Sequence, residues 1–392
     1  MVKRKTILIG ASAIGLLLIG GALAAPILVD RSLNKVYPPL SKPVSRQALA
    51  LHQRLWIADL HADSLLWQRD LNQANGRGHV DFPRLVQGNV ALQAFSAVTK
   101  TPRHMNIDHN GSGTDNITAL VIAQRLPPAT WTSLLARATY QAQELHQLAS
   151  RSGGKVTVIG SRAQLRNFIT AREATPGLVA GWLTLEGAHA LEGKLDNLDV
   201  LYRAGYRMAA PTHFFDTEIG GSQHGLHKGG LTPLGKQWLV AMEQRKMIVD
   251  LAHASSATID DVLNLATRPV IVSHTGVRGT CDNGRNLSDA QLTKIAAQGG
   301  LVGIGFWSTA VCGQDVTAIA RAIGYTVKLI GVEHVAYGSD FDGAVTTAID
   351  AAGLPALTQA LLDAGLSEAQ IRRIAGENVR DFLLKNLPDD DA

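Results

Sequence analysis

Apolar runs short enough for strands alternate with segments of helical period along nearly all of the chain. The runs cover 55–61, 91–98, 179–186, 206–212, 247–252, 269–273, 301–306 and 335–339. Helical stretches lie between them at 161–173, opened by Ser161, and at 232–246, where Thr232-Pro233 supplies an N-cap and a first-turn proline. Others follow at 256–266, 288–298 and 315–330. Strands joined by helical crossovers in this number predict an α/β fold, a closed (β/α)8 barrel of the TIM type, rather than an open doubly wound sheet. No Gly-x-Gly-x-x-Gly fingerprint follows the first strand. The interval from Thr99 to Gly154 breaks the rhythm, with a loop rich in Asn, Gly, Ser and Thr around Asn106 to Asn116 and then one long helix over 130–150. As an insertion after the second strand it is expected on the active face, where it would wall or cover a site. Helical segments at 355–364 and 367–386 close the fold, and no second domain or internal repeat is visible.

The ends of these runs carry the candidate chemistry. Asp59-Leu60-His61-Ala62-Asp63 closes the first run, and on a strand the i, i+2 alternation aims His61 and Asp63 at one cation. Later runs stop on Glu186, His253, His274 and Asp340. Singly, each reads as a hydrogen-bonded polar group at a strand end. Together they match a barrel whose strands all point their carboxyl ends at one mouth, which makes a metal hydrolase the first expectation.

Composition narrows the class. A hydrophobic content of 46% with 18% charged residues indicates a well-filled globular core, and a net charge of +4 over 392 residues, with no basic stripe, excludes a nucleic-acid partner. Lys3-Arg4-Lys5 followed by the nearly uncharged stretch Thr6 to Val29 reads as an export signal or a membrane anchor, with the barrel periplasmic or extracellular. Ala22-Leu23-Ala24 fits a cleavage site that would give a secreted form, yet the length of the apolar run favours an uncleaved anchor. The expected organisation is an anchor or signal over 1–29, a tether over 30–45 containing Pro38, Pro39 and Pro43, the barrel over 46–386 and an acidic tail over 387–392. Cys281 and Cys312 lack zinc-type spacing; they either pair in an oxidising compartment or stay as buried thiols.

A resemblance extends this reading. Asp59-x-His61-x-Asp63, Leu185-Glu186-Gly187, Thr212-His213, Gly230-Leu-Thr-Pro-Leu-Gly235, Asp250-Leu-Ala-His253-Ala-Ser255, Ser273-His274, Arg285-Asn286-Leu287-Ser288-Asp289, Gly338-Ser-Asp340-Phe-Asp342-Gly343 and Gly376-Glu377-Asn378 resemble, in order, the motif series of the membrane (renal) dipeptidase family of the amidohydrolase superfamily. The series spans about Leu51 to Leu384. The resemblance implies a metallopeptidase with two Zn2+ per chain that cleaves dipeptides: His61 and Asp63 on one ion, His253 and His274 on the other, Glu186 bridging, and a shared water as nucleophile. It further implies that His213 contacts the scissile carbonyl or the tetrahedral intermediate, that Arg285 binds the substrate carboxylate and that Asp340 shuttles the proton. Asp342 reads as structural, holding the turn before Gly343.

His224 and His227, in the glycine-rich loop Gly220 to Gly230, are expected in solvent, as are His104 and His109 in the insertion. His189 and Glu192 are expected to face a helix. A deaminase or lactonase on the same barrel is the alternative enzyme; Arg285-Asn286, and the absence of a strand-end lysine near Glu186, favour peptides. A metal-free binding protein is the third reading, and a homodimer stays open.

Overall fold

The computed structural model describes residues 24–38 and 43–389. Its main sheet is a ring of eight parallel strands: β2 (Ile57–Ala62), β3 (Val90–Val98), β5 (Val179–Glu186), β6 (Met208–Ala209), β7 (Ile248–Val249), β8 (Ile271–Thr275), β9 (Leu301–Ile304) and β10 (Val335–Tyr337). Each strand lies beside the next in chain order, and β10 returns to β2 with Tyr337 opposite Asp59. Between β7 and β8 the ladder is reduced to a single parallel bridge, Asp250 to Ile271. The result is a nearly closed (β/α)8 barrel. Because every strand runs the same way, every carboxyl end opens on one face.

Three features depart from the expectation. A ninth strand, β4 (Val156–Ile159), pairs with the first half of β5, leaving the second half to β6. The long helix expected over 130–150 is two helices, Ala129–Thr132 and Leu134–Arg151, because the Ser133 hydroxyl accepts from Ala136 N and caps a fresh start. The helix expected over 367–386 is interrupted by a π turn at Arg373–Glu377. There Gly376 lies so close to β2 that a Cβ on it would sit 2.1 Å from the Trp56 carbonyl oxygen. Elsewhere the helix starts follow the sequence: Ser161, Thr232 and Ser288 all cap through their hydroxyls, Ser288 with Gln291 in a capping box.

The tether expected over 30–45 is in part structural. Residues 24–33 are helical and β1 (Lys35–Val36) pairs in parallel with β11 (Thr346–Thr347), just after the last barrel strand. Asp30 is buried, its Oδ2 accepting from Arg77 Nε at 2.7 Å and lying 3.4 Å from Arg69 Nε, so a polar side chain fastens what reads in the sequence as linker. The acidic tail also begins docked: Leu387 is buried, and Asp389 pairs with Arg162 and Lys246. Of the anchor or signal expected over 1–29, residues 1–23 lie outside the described residues, as do 39–42 and 390–392, while 24–29 belong to the helix 24–33. Among the described residues no helix is long and apolar enough to cross a membrane.

One buried cluster takes a side chain from each of the eight ring strands, including Leu60, Leu92, Trp182, Met208, Ile248, Ile271, Leu301 and Ala336, and from Val379, Phe382 and Leu383 of the helix Asn378–Asn386. Burying each such side chain contributes about 1.5–3 kcal/mol, so this apolar layer is what holds the polar mouth open and in register.

Candidate active site

All eight residues singled out in the sequence meet at the mouth of the barrel, and all are buried. Glu186 ends β5 and sits at the centre. Its Oε2 lies 3.5 Å from His61 Nε2, while its Oε1 lies 3.0 Å from His253 Nε2 and 3.4 Å from both His274 Nε2 and His213 Nε2. Asp63 Oδ1 is 3.2 Å and Asp340 Oδ1 3.9 Å from His61 Nε2. His253 and His274 turn their Nε2 atoms toward each other at 2.9 Å.

Local backbone makes this convergence possible. His253, Asp340 and Asp342 adopt left-handed conformations, with φ of 62°, 62° and 63°, and the first two present their side chains to the mouth. Gly343 leaves room for Asp340, since a Cβ there would fall 2.1 Å from Asp340 Oδ1.

Three overlapping groups have ligand atoms within 4.8 Å of one another: His61, Glu186 and His274; Glu186, His213 and His253; His61, Asp63 and Asp340. Imidazole and carboxylate donors in this number suit zinc or a similar divalent ion. The polar bookkeeping agrees, because His61 Nε2, Asp63 Oδ1 and Glu186 Oε2 are buried with no well-formed hydrogen bond among the described residues. Burial and Arg285 keep His253, and burial, His61 and Arg285 keep His274, below the ordinary imidazole range, in the neutral form that binds metal. Burial and the Glu186 charge lift Asp63 to about 7, and burial lifts Asp340 well above the carboxylate range. A bound cation would supply the missing positive charge and drive those protons off.

Buried carboxylates behind this layer brace it, and the sequence reading gave them no such role. Asp250 Oδ2 accepts from the Ser273 hydroxyl at 2.6 Å, and Ser273 Oγ faces His274 Nδ1 at 2.9 Å and His61 Nδ1 at 3.5 Å. One hydroxyl thus orients two imidazoles. Asp59 accepts from Ser339 N at 2.8 Å, from the Ser339 hydroxyl at 2.6 Å and from Gln93 Nε2 at 2.8 Å, tying the start of the Asp340 turn to β2. Asp59 and Asp250 each open a quoted motif, and their distance of two or three residues from a ligand was the available signal. Asp342, expected to hold the turn before Gly343, instead faces away from it. Its carboxylate meets Arg69 Nη2 at 2.6 Å, the Ser64 hydroxyl at 2.6 Å and His79 N at 2.6 Å.

Arg285 enters from the loop between β8 and β9, where Nη2 donates to the His274 carbonyl oxygen at 2.9 Å and the guanidinium lies over Trp307, 5.4 Å from the ring centroid. A Cys281–Cys312 disulfide ties this loop to the end of the short helix Ser308–Val311. Arg285, His213, Asp340, Asp63 and Glu186 all face a cavity of about 800 Å³, one wall of which is the insertion through Met105, Ile107, Ile117 and Leu120. His224, expected in solvent, is fully buried and lines the cavity: its Nδ1 meets the Ile107 carbonyl oxygen at 2.6 Å, which pins the glycine-rich loop to the insertion, and its ring stacks on Phe214. Burial lowers His224 to about 3, so it stays neutral. His227, His104 and His109 are exposed, as expected. His189 is buried against Phe215, and burial lowers it likewise to about 3.

A parallel barrel that gathers buried imidazoles and carboxylates at its carboxyl-end mouth is the architecture of a metal-dependent hydrolase. The chain belongs to the membrane dipeptidase family, peptidase family M19, whose profile matches residues 45–383, and membership makes it a metallo-dipeptidase. It is 29% identical over 374 residues to the dipeptidase aclJ of Aspergillus oryzae (strain ATCC 42149 / RIB 40), covering 90% of this chain and 81% of that one. It is 30% identical over 310 residues to the dipeptidase verJ of Clonostachys rogersoniana, covering 77% and 74%. Among solved structures, the metallopeptidase described as dipeptidase AC superposes with a TM-score of 0.71 at 25% identity, covering 85% of this chain and 99% of that one. The probable dipeptidase PvdM of Pseudomonas aeruginosa shares the fold with a TM-score of 0.73 at 19% identity, covering 86% and 97%.

Proposed function

We propose that this protein is an exported two-zinc dipeptidase, held at the membrane through its N-terminal segment. The observation that carries the reading is the split orientation of Glu186, whose two oxygens face different histidines, Oε2 toward His61 and Oε1 toward His253 and His274. A carboxylate so placed suits the space between two cations, with His61 and Asp63 on one side and His253 and His274 on the other. Zinc in this cluster would polarise the scissile carbonyl and make water a usable nucleophile near neutral pH.

The remaining roles fall to the chain's own groups. Asp340, on the cavity wall beside His61, accepts the proton of the attacking water and delivers it to the leaving amine. His213 opens on the same cavity and steadies the carbonyl oxygen as it gains charge. Arg285 takes the free carboxylate of the substrate through its planar donor pair, which fixes substrate length: in a longer peptide an uncharged amide falls where the guanidinium requires an anion. Export is supported by Lys3-Arg4-Lys5 with its apolar stretch and by the Cys281–Cys312 disulfide, a bond typical of oxidising compartments.

Metal analysis combined with a substrate panel tests the reading. The expected result is two zinc ions per chain, chelator-sensitive release of free amino acids from dipeptides, and loss of both ions in Glu186→Ala. Arg285→Ala is expected to cut kcat/KM on a free dipeptide by roughly a hundredfold while narrowing its advantage over the C-terminal amide. Full activity of metal-free protein, or an unchanged ratio of free dipeptide to amide, would refute the mechanism. Release of ammonia or lactone opening without peptide cleavage would favour the deaminase or lactonase alternative.

A further inference from the structure

The segment ahead of the barrel is built into the site. Helical residues 24–33 run across the cavity mouth, and Ala25, Pro26, Val29 and Leu33, which recur on one helical face, line the same cavity as Glu186, Arg285 and Asp340. Leu28, on the opposite face, is outside the cavity lining and 59% exposed. The strap is fixed at several points. Asp30 binds Arg77 and Arg69, Asn34 Oδ1 accepts from Ala344 N at 2.9 Å, and β1 pairs with β11. The last two of these fall on the segment that follows Asp340, so the strap and the candidate proton carrier share one support. The strap also precedes the matched segment 45–383, so family membership does not specify this wall.

The cavity is divided by chemistry. Its floor holds the imidazoles, carboxylates and Arg285, which account for the carboxylate and scissile bond of a dipeptide. Val29 and Leu33 line the cavity together with Leu66, Ile117 and Leu120, all apolar. A volume of about 800 Å³ is in the range of roughly 300–1,000 Å³ that takes drug-sized ligands, more than two small residues fill. With the carboxylate held by Arg285 and the scissile bond at the imidazole and carboxylate cluster, Val29 and Leu33 are among the apolar groups left in the cavity to meet a large side chain.

We propose that residues 25–37 form a specificity wall, through which Val29 and Leu33 select dipeptides carrying one large apolar side chain. The inference rests on the dipeptidase reading and holds whether the preceding segment is retained as an anchor or removed after Ala24, since the wall begins at Ala25.

The test is kcat/KM of the full-length protein on Ala-Ala against Leu-Ala, Ala-Leu, Phe-Ala and Ala-Phe. It compares wild type, V29S/L33S, the milder V29A/L33A and the outward-facing control L28S, with thermal unfolding and metal content recorded for each. Wild type is expected to favour at least one bulky dipeptide over Ala-Ala by tenfold or more, since a hydrophobic pocket discriminates on the order of 10- to 200-fold per methylene-sized difference. V29S/L33S is expected to lower that preference about tenfold, mainly through KM, while L28S keeps the wild-type ratio. The proposal is overturned if wild type shows no such preference, or if the ratio is unchanged in V29S/L33S or, should that variant not fold, in V29A/L33A. Absence of hydrolysis of every dipeptide by zinc-loaded wild type would instead strike the dipeptidase reading itself, and the wall with it.

Discussion

Replacing Asp342 by Asn tests whether the support beneath the mouth is electrostatic. Asp342 and Arg69 are both fully buried and pair at 2.6 Å, and the same carboxylate accepts from Ser64 and from His79 N. Removing one charge from a buried pair costs about 3–5 kcal/mol because its partner is left uncompensated. Asn keeps the shape and, with its oxygen in the Oδ2 place, the contacts to Arg69 and Ser64, but turns an NH2 donor toward the His79 N–H; with Asp30 still 3.4 Å from Arg69 Nε, a loss of about 3–5 kcal/mol is expected. Burial alone would raise the Asp342 carboxyl, but Arg69, His79 and Ser64 together hold it well below the usual carboxylate range. A depressed folded-state value means stabilisation that is present above the unfolded pKa of about 3.9 and is lost as pH falls below it toward the folded value. Urea unfolding of wild type and Asp342→Asn at pH 7, and at steps down to pH 3, reads both quantities. The gap should be widest at neutral pH and shrink as the solution becomes more acid than about pH 4. A gap below about 0.5 kcal/mol at pH 7, or one that does not change with pH, would show that the ion pair contributes no net stability. Because Asp340 stands two residues earlier on the same turn, kcat should fall in parallel.

Two further outcomes follow from groups away from the proposed metals. Burial lowers His52 to about 4, its Nε2–H donating to the Gly88 carbonyl oxygen at 3.0 Å and its Nδ1 accepting from the Thr358 hydroxyl at 2.8 Å, so the unfolded chain binds the extra proton first. Wild type should therefore lose about 3 kcal/mol between pH 6.5 and pH 4, a slope that denaturation of His52→Gln should lack. Cys281 and Cys312 close a loop with a sequence separation of 31, so Cys312→Ser should cost about 3–4 kcal/mol by unfolding measurements. It should also raise KM more than it lowers kcat by freeing the Arg285 loop, and an unchanged KM would separate the disulfide from substrate binding.

What the sequence revealed depended on periodicity. The ring strands were legible because parallel strands are apolar on both faces, and their ends stood out because each apolar run stops abruptly at a ligand type, as Leu185 does before Glu186. Helix starts were legible from Ser161, Thr232 and Ser288, since capping is a local property. The four residues of β4 were missed because so short a β-branched run carries no period of its own. The break at Gly376 escaped because the cause is the distant Trp56 carbonyl. The strap escaped for the same kind of reason: Asp30 reads as linker until Arg69 and Arg77, some 40 residues on, come to meet it. His224 looked solvated because glycine-rich composition signals a loop but does not say what covers it.

The left-handed backbone at His253 and Asp340 bears on how such a mouth tolerates drift. Among residues that ligate metals or carry protons, aspartate and histidine tolerate this conformation comparatively well, whereas longer or β-branched side chains resist it. Backbone shape and chemistry therefore ask for the same few residue types at these two positions. A glutamate at 340 would keep the charge yet be wrong twice over, once in its torsion angles and once in its reach. Substitutions that pass unnoticed on the outer helices of the barrel have almost no room here, and redesign of the mouth has to begin from the turns rather than from the ligands they carry.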